Sequence, residues 1–355
     1  MIKALERDSK PHDPAPAERR GAVTAMIIAL GFMLLALSIT IAVSVGAIAV
    51  PSSTVWGIVL NKIFPGAINP DWSPGSAAIV WQIRFPRALL AGLVGAGLAL
   101  VGASLQSVTR NPLADPHLLG ISSGGAFGAI FAMLHTGLFL GLMTVPLFAF
   151  AGALMATALV LGAARFTGAA SAARLILVGV AVSFVVMSGA NILIFLGDPR
   201  AAQTVVFWML GGLGLAQWPQ LIYPLVILVG CGGYFWAKSG DLNAMTIGDE
   251  TAATLGIPVT SFRIKIFVAG ALLTGVMVAF SGIIGFVGLM VPHIVRMMVG
   301  GDYRRVLPVS ALFGAIFLIW ADIGARTIMA PEDIPIGIIT GLVGGLFFLW
   351  LLRNK

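Results

Sequence analysis

Long apolar runs separated by short polar breaks dominate the chain, and one stretch shows the pattern clearly. Residues 84–128 contain an apolar run rich in glycine, a polar break with two prolines over 110–116, and a second glycine-rich run. The run at 88–108 is long enough to cross a hydrocarbon core of about 30 Å as a helix rising about 1.5 Å per residue. Its glycines predict close helix packing inside a bilayer. The charged, proline-containing break is predicted to lie at a water interface.

The same alternation continues along the chain and predicts ten membrane spans. The first run, 22–50, is longer than the apolar core of about 7–15 residues in a signal peptide, which favours a retained anchor. Residues 51–83 carry four prolines and polar turns, which predict an external loop. The predicted spans are 22–50, 84–108, 118–134, 143–164, 172–197, 217–237, 260–281, 284–298, 306–328 and 336–352.

Composition agrees with a polytopic, all-α membrane protein. The chain of 355 residues is 59% hydrophobic and 10% charged, with a mean hydropathy of +1.01. That leaves too little polar surface for a soluble globule of this size. We expect residues 1–21 to form a flexible tail and residues 22–355 to form a single transmembrane domain. The lone Cys231 lies in an apolar run, so no disulfide framework is predicted.

The basic residues predict an orientation in the membrane. The net charge is +7, but the basic residues are not interleaved with aromatic ones, so no nucleic-acid partner is expected. With the N-terminus inside, 16 of the 21 lysines and arginines fall on the cytoplasmic side, as the positive-inside rule requires. Both termini are therefore predicted to be cytoplasmic. The basic residues left outside are Lys62, Arg84, Arg87, Arg200 and Arg326.

A set of longer motifs recurs through the chain beyond the tail. They are Arg84-Phe-Pro-Arg87, Gln106 at the end of the first glycine-rich run, RNPLA at 110–114, Leu119-Gly120, IGDETAATLG at 247–256, GFVGLMVPH at 285–293, Ala321-Asp322 with Arg326, and IPIG at 334–337. In this order they resemble the permeases of type II ABC importers for iron chelates and cobalamin. One departure is Asp249, where that family usually has glutamate, although the negative charge is kept.

The resemblance implies both a fold and a set of partners. It implies the type II ABC importer permease fold, a homodimer around a central pathway, two cytoplasmic ATPase subunits and a periplasmic binding protein, all at the bacterial inner membrane. No cofactor is expected in this chain, and ATP and Mg²⁺ are expected on the partner ATPase, since the sequence has no G-x-x-x-x-G-K-[ST] loop. The expected cargo is haem or another iron chelate, and siderophores and cobalamin remain as alternatives.

The polar segment 241–258 lies between two predicted spans. Acidic residues at 249 and 250 complement the positive end of a short helix, Gly256 suits the position after its last turn, and Pro258 prevents its continuation. Ala252 and Leu255 are predicted to share one face, which could insert into a groove on a partner. The pattern alone leaves an ordinary interfacial loop open. By resemblance the segment is the coupling element that receives the ATPase stroke, through Ile247, Gly248, Asp249, Glu250, Ala252, Leu255 and Gly256.

Three arginines sit at predicted external helix ends, namely Arg84, Arg87 and Arg326. One interpretation is snorkelling or local pairing, for instance of Arg326 with Asp322 four residues earlier. Asp322 is costly alone in lipid and is expected to have a partner. The other interpretation, implied by the resemblance, is a docking rim for carboxylates of the binding protein.

One face of the fifth predicted span carries candidate residues for the transport pathway. They are Phe184, Ser188, Asn191 and Phe195, with Arg200 just outside the span. Buried Ser and Asn side chains often only bond a neighbouring helix, so that interpretation stays open. The resemblance places this helix beside the pathway, where Arg200 would attract anionic groups such as propionates or simply face solvent.

Two other functional classes fit the sequence less well. A secondary transporter needs intramembrane acids for ion coupling, and only Asp322 qualifies. An intramembrane hydrolase would use Ser122 in the G-x-S-x-G match at 120–124, but that motif requires a strand before it, with a histidine and an acid as partners. Here it opens a predicted membrane helix. His117, His135 and His293 lack ligand spacing, so neither a metal site nor a catalytic residue is predicted.

Overall fold

The computed structural model describes residues 16–46, 48–168 and 171–353, and these ranges are built from helices. Short 3₁₀ and π turns join some of them. The α-helices of the described ranges are α1 Pro16–Ser44, α2 Ser52–Ile63, α3 Pro74–Ala78, α4 Phe85–Thr109, α5 Ile121–Phe131, α6 Thr144–Phe166, α7 Ala172–Leu196, α8 Ala202–Met209, α9 Ile222–Ala237, α10 Ser239–Ile247, α11 Asp249–Thr254, α12 Val259–Ser281, α13 Val287–Val299, α14 Tyr303–Thr327 and α15 Ile336–Arg353.

Every predicted span contains a helix, but two of these helices are short. Within the described residues, eight helices are long and apolar enough to cross a membrane. The predicted spans 118–134 and 284–298 contain the shorter helices α5 and α13, and α5 continues as a π turn over Ala132–Thr136. The all-α class is confirmed. Helices of this length are too short to cross a bilayer unaided and need burial by their neighbours.

Several predicted boundaries differ from the structure. Helix α1 begins at Pro16, inside the stretch expected to be a flexible tail, and residues 1–15 lie outside the described residues. The predicted external loop at 51–83 contains α2 and α3, and the connection after α7 contains α8. Turn-forming prolines therefore mark helix starts here, since Pro51 precedes α2 and Pro74 opens α3.

Helix α4 is the centre of the bundle, and nearly all of its side chains are buried. It packs against α14, α12, α13 and α9. Two of its glycines bring backbones into direct contact. A Cβ on Gly95 would collide with the carbonyl group of Gly314 in α14, and one on Gly102 would collide with Gly288 in α13. The predicted close packing through glycine is confirmed at these positions.

A second group of helices, α5, α6 and α7, is joined to α4 through α12. The contact between α5 and α6 is again made by backbone, because a Cβ on Gly124 would collide with Gly152 and one on Gly128 with Phe148. In the outer helices α1, α7, α9 and α15, no more than 22% of the membrane-spanning window is buried. Such surfaces fit lipid or a second protein chain better than water.

The polar break after α4 lies only partly at the surface. Arg110 ends α4 in the left-handed conformation, with φ of 51°, and is exposed. Ala114, Asp115 and Pro116 are buried, and Pro116 packs close to Gly288. The prediction of a surface break therefore fails for its second half, because the chain turns back between α4 and α13 before α5 begins.

Candidate functional site

The segment predicted to couple to a partner forms two short helices, α10 and α11. Gly248 separates them with φ of 152° and ψ of 157°, a conformation that L side chains rarely adopt. At the end of α11, Gly256 has φ of 82° and donates to the carbonyl of Ala253, while the next residue donates to Ala252. These two bonds make a Schellman motif. The predicted role of Gly256 in ending the helix is confirmed.

Arg263 fixes α11 to the core of the bundle. Its side chain in α12 is 1% exposed, and its Nη2 donates to both carboxylate oxygens of Asp249 at 2.9 Å. Its Nε donates to the carbonyl of Val108, in the last turn of α4, at 3.0 Å. Arg110 lies 3.8 Å from the same carboxylate. One buried guanidinium therefore joins α11, α12 and α4.

Helix α10 is attached to α4 and to one further core helix, α14. The Ser107 hydroxyl of α4 donates to the carbonyl of Leu242 at 2.7 Å. The Asn243 amide donates to Asp302 at 2.8 Å and accepts the backbone N–H of Tyr303 at 2.8 Å, so it holds the start of α14. We call the two helices with Leu255, the residue that caps α11, the α10–α11 element (residues 239–255). It is anchored to α4, α12 and α14.

The contacts of Asp302 favour its charged form over the neutral one. Partial burial works to raise the pKa of its carboxyl group, but hydrogen bonds from the Asn243 side chain and the Arg304 backbone, together with the charges of Arg305 and Arg304, hold the pKa below its usual value. The bonds between α10 and α14 therefore persist well below neutral pH.

The outward side of the α10–α11 element is acidic and apolar. Glu250 is exposed, and the side chains of Ile247 and Leu255 are 70% and 65% exposed. Ala252 is 0% exposed, so the prediction that Ala252 and Leu255 share one presented face is wrong. Ala252 packs toward the core because α11 spans only six residues and its inward side is set by the Asp249–Arg263 bridge. The coupling role itself stays a prediction.

Arg84 is buried at the opposite end of the bundle and bonds the end of α1. It is 7% exposed, and its guanidinium donates to the carbonyls of Val43 and Ser44 at 3.0 Å and to that of Ile48 at 2.5 Å. Val43 and Ser44 lie in the last turn of α1, where carbonyls lack intrahelical donors, and Ile48 follows the helix. Arg84 therefore caps a helix rather than presenting its charge on an open rim.

Arg87 and Arg326 share a buried carboxylate. Asp322 is 1% exposed and accepts from Arg87 at 2.8 Å and from Arg326 at 3.0 Å. Arg87 also donates to the half-exposed Asp333 at 2.5 Å. The expected partner for Asp322 is thus confirmed, and local pairing explains both arginines. Docking of a binding protein at Arg84, Arg87 and Arg326 stays a prediction, and it would have to work on side chains that already have internal partners.

The candidate pathway residues lie on one exposed face of α7. Phe184 is 73% exposed and Phe195 87%, and Ser188 and Asn191 are exposed between them. The Ser188 hydroxyl bonds its own helix at the carbonyl of Phe184, at 2.8 Å, so it does not join another helix. Arg200 is also exposed, just beyond α7. The face is available to a second chain, a pathway or lipid.

Ser122 has a histidine neighbour, which the sequence did not reveal. The ring of His117 contacts the Ser122 hydroxyl through Nδ1, and its Nε2 lies 2.9 Å from the carbonyl of Ile284 and 3.7 Å from Asp115. Ser122 is only 6% exposed and opens a helix rather than following a strand. The carbonyl, not the carboxylate, holds the second ring nitrogen, so the geometry differs from a hydrolase triad. The contacts tie α5 to the chain between α12 and α13.

Comparison with known proteins agrees with this architecture. Residues 33–354 match the FecCD transport family. The hemin transport system permease protein HmuU of Yersinia pestis is 37% identical over 332 residues, covering 92% of this chain and 95% of that protein. The vitamin B12 import system permease protein BtuC of Salmonella paratyphi A is 39% identical over 291 residues, covering 80% of this chain and 87% of that protein.

A solved structure has the same arrangement of helices. It is described as an inward-facing conformation of a metal-chelate type ABC transporter, and it superposes with a TM-score of 0.79 at 29% identity. The match covers 93% of this chain and 100% of the other. The family match and the two relatives each extend over most of the helices described above. The chain therefore belongs to the FecCD transport family and is the membrane permease of an ABC importer.

Proposed function

We propose that this chain forms one half of a homodimeric pathway that imports an iron chelate, with haem as the preferred cargo. The observation that carries the proposal is the α10–α11 element. It presents an exposed acidic and apolar surface, and its inner side is bonded to the central helices through Arg263 and Asp249. A displacement of that surface would be transmitted through these bonds to α4, α12 and α14.

The energy for transport comes from outside the chain. Two separate ATPase subunits bind ATP and Mg²⁺, and a periplasmic binding protein delivers the cargo. Closure of the ATPases moves the α10–α11 element, so the dimer opens to one side of the membrane at a time. This requires that ATP and the docked binding protein each have different affinities for the two states.

The proposed membrane is the bacterial inner membrane, with the α10–α11 element in the cytoplasm. Basic side chains concentrate at that end of the bundle, including Arg110, Lys238, Lys265, Arg304 and Arg305. The positive-inside rule then places this end, and with it both termini, on the cytoplasmic side.

Haem suits the exposed face of α7. That face offers two aromatic rings, Phe184 and Phe195, and few polar groups, so it favours a flat apolar macrocycle over a heavily hydrogen-bonding ligand. Arg200, beyond the outer end of α7, could attract the propionates of haem. Ferric siderophores and cobalamin are the alternatives.

Reconstitution tests both ATP-dependent import and the identity of the transported ligand. Proteoliposomes containing the permease, its ATPase and its binding protein should take up haem in an ATP-dependent manner, and faster than a ferric siderophore or cobalamin. Faster uptake of another ligand would overturn the cargo. Accumulation against a gradient by the permease alone would overturn the importer mechanism and favour an ion-coupled secondary transporter.

A further inference from the structure

A pocket of about 600 Å³ lies where α9 ends and α12 begins, beside the α10–α11 element. One wall comes from the last turn of α9 and the start of α10, and the other from the first turns of α12. The chain between α11 and α12 closes the end. The lining residues that matter for binding are Tyr234, Lys238, Asp241, Ile257, Phe262 and Lys265.

The pocket has an excess of positive charge. Lys238 is paired with Asp241 at 3.1 Å. In the part of the chain that the structure describes, no carboxylate lies within ion-pair distance of Lys265. The pocket therefore holds two ammonium groups and one carboxylate, so an anion that bridges the lysines would bring its charge close to neutrality.

The helices around the pocket indicate that it lies where hydrocarbon gives way to water. Both α9 and α12 are long and apolar enough to span a membrane, whereas the α10–α11 element that follows α9 is polar. Tyr234 and the 59%-exposed Trp236 flank the junction, as aromatic side chains do at membrane interfaces. Lys265 lies in the second turn of α12, where its ammonium group can reach a headgroup phosphate.

An apolar surface continues from the pocket toward the middle of the bundle. Ile264 and Val268, one turn apart on α12 and next to Lys265, are 37% and 45% exposed. A free phosphate would have no use for this surface, but an acyl chain would bury it. The combination of a basic pocket with an adjoining apolar face is typical of an anionic lipid site.

We propose that this pocket binds the phosphate of an anionic phospholipid, with Lys238 and Lys265 as the charged ligands and the Tyr234 hydroxyl as a donor. The placement in the inner leaflet rests on the orientation proposed above. The lipid would also contact Ile257, whose backbone N–H makes one bond of the Schellman motif of α11, so its binding would stabilise the attachment of the α10–α11 element.

Lipid retention by the purified complex tests the proposal. The complex of permease and ATPase, reconstituted in phosphatidylcholine nanodiscs with increasing phosphatidylglycerol, should retain one phosphatidylglycerol per permease chain in native mass spectrometry. Each of Lys238→Gln and Lys265→Gln should raise the phosphatidylglycerol concentration for half occupancy about fivefold, and the double variant about 25-fold. The matched control is Arg165→Gln, which removes an exposed cation at the same end of the bundle but outside the pocket.

Several outcomes would overturn the site. Unchanged retention in the double variant would do so, and so would equal loss in the Arg165→Gln control. Displacement of the lipid by millimolar inorganic phosphate would assign the pocket to a free anion instead. If the double variant fails to fold, Tyr234→Phe should still weaken retention about threefold to tenfold. Retention is measured without transport, so a wrong cargo assignment leaves this result unaffected.

Discussion

Arg263 carries a permanent positive charge into a position that is 1% exposed, where only good partners make the burial tolerable. It has a carboxylate on one side and a backbone carbonyl on the other. Removing the carboxylate leaves a buried charge with too few acceptors. This ion pair therefore contributes to the stability of the α10–α11 element and links α11 to α12.

We expect Asp249→Asn to lower the free energy of unfolding by about 2 kcal/mol, below the roughly 3–5 kcal/mol of a fully buried pair, because the Asp249 side chain is 37% exposed. The Tm of the purified permease measures the effect. Glu250→Gln, the matched control, removes the same charge from the adjacent, exposed residue and should leave Tm unchanged. Asp249→Glu keeps the charge and should retain most of the stability; equal Tm values for all these variants would contradict the role of Arg263.

The carboxylates near Arg87 should differ sharply in importance. Asp322→Asn leaves two buried guanidinium groups without their shared acceptor and should cost about 3–5 kcal/mol. Asp333→Asn affects a side chain that is 50% exposed and should cost no more than about 1 kcal/mol. Thermal unfolding of both variants in the same detergent measures the difference. A larger effect at Asp333 would mean that Asp322 is not the centre of this cluster.

The sequence shows which residues are charged, but for most of them it does not show which residue they pair with. Arg263 was predicted only as one of many cytoplasmic cations, since nothing in the local pattern shows that the chain reverses and brings Asp249 to it. The i,i+4 pair of Asp322 and Arg326 was predictable because a single helix fixes it. The bond from Arg87 to Asp322 joins residues 235 positions apart, which no periodicity encodes.

At the scale of elements, the α10–α11 element has a rigid inner side and an exposed outer side. We expect Glu250→Arg to leave the protein folded while uncoupling ATP hydrolysis from uptake, because the change reverses the charge of the presented surface and touches none of the three anchors. ATPase activity and cargo uptake of the same proteoliposome preparation give the coupling ratio. Thr167→Arg places the same charge on another exposed loop as a control. Normal uptake by Glu250→Arg would refute the coupling role.

The glycine contacts of α4 should be far less tolerant than glycines on the surface. Gly102→Ala forces a Cβ into the backbone of Gly288, so we expect a loss of at least about 1–3 kcal/mol and a lower yield of folded protein. Gly230→Ala, in α9, meets nothing within 4 Å and should be neutral or slightly stabilising. Fluorescence-detected size exclusion and Tm separate the two. Equal behaviour would contradict the tight α4–α13 contact.

The sequence predicted most elements, and its errors have a common cause. Apolar runs predict the long helices, because a segment that crosses a bilayer must satisfy its own backbone hydrogen bonds, as a helix does. The sequence does not predict the short helices α2 and α8, since Pro51 and Pro199 before them and the polar residues around them resemble loop signals. The inward turn of Ala252 was also missed, because a helix of six residues takes its facing from tertiary contacts rather than from its own periodicity.

At the scale of the whole molecule, the apolar side of α7 lacks cover within the described chain. We expect single cysteines at Phe195 in a Cys231→Ser background to cross-link to the same position of a second copy. Val229→Cys in α9, with 65% exposure against 87% for Phe195, is the matched control and should not cross-link. Non-reducing gels of membranes from cells making the whole complex give the result. Cross-linking at residue 229 alone would place the dimer contact on the wrong side of the bundle.

Assembly was beyond what composition or periodicity could predict. Helices α1, α7, α9 and α15 are all apolar enough to span a membrane, and each leaves apolar side chains exposed. Lipid and a partner subunit present nearly the same chemistry to such helices, so the choice of partner depends on shape. The predictions of a homodimer and of ATPase partners come from the family resemblance rather than from any physical signal in the residues.

The direct backbone contact of α4 with α13 and α14 limits how the helices of the permease can move. Side chains can accommodate small displacements by changing rotamer. A glycine in contact with a carbonyl group has no side chain, so the two backbones cannot shift without a clash. A displacement transmitted through Asp249 should therefore move α4, α13 and α14 together as one rigid body. The outer helices, which have fewer buried side chains, are then the parts that can move. We expect gating to change their tilt, and not to slide α4 along α13 or α14.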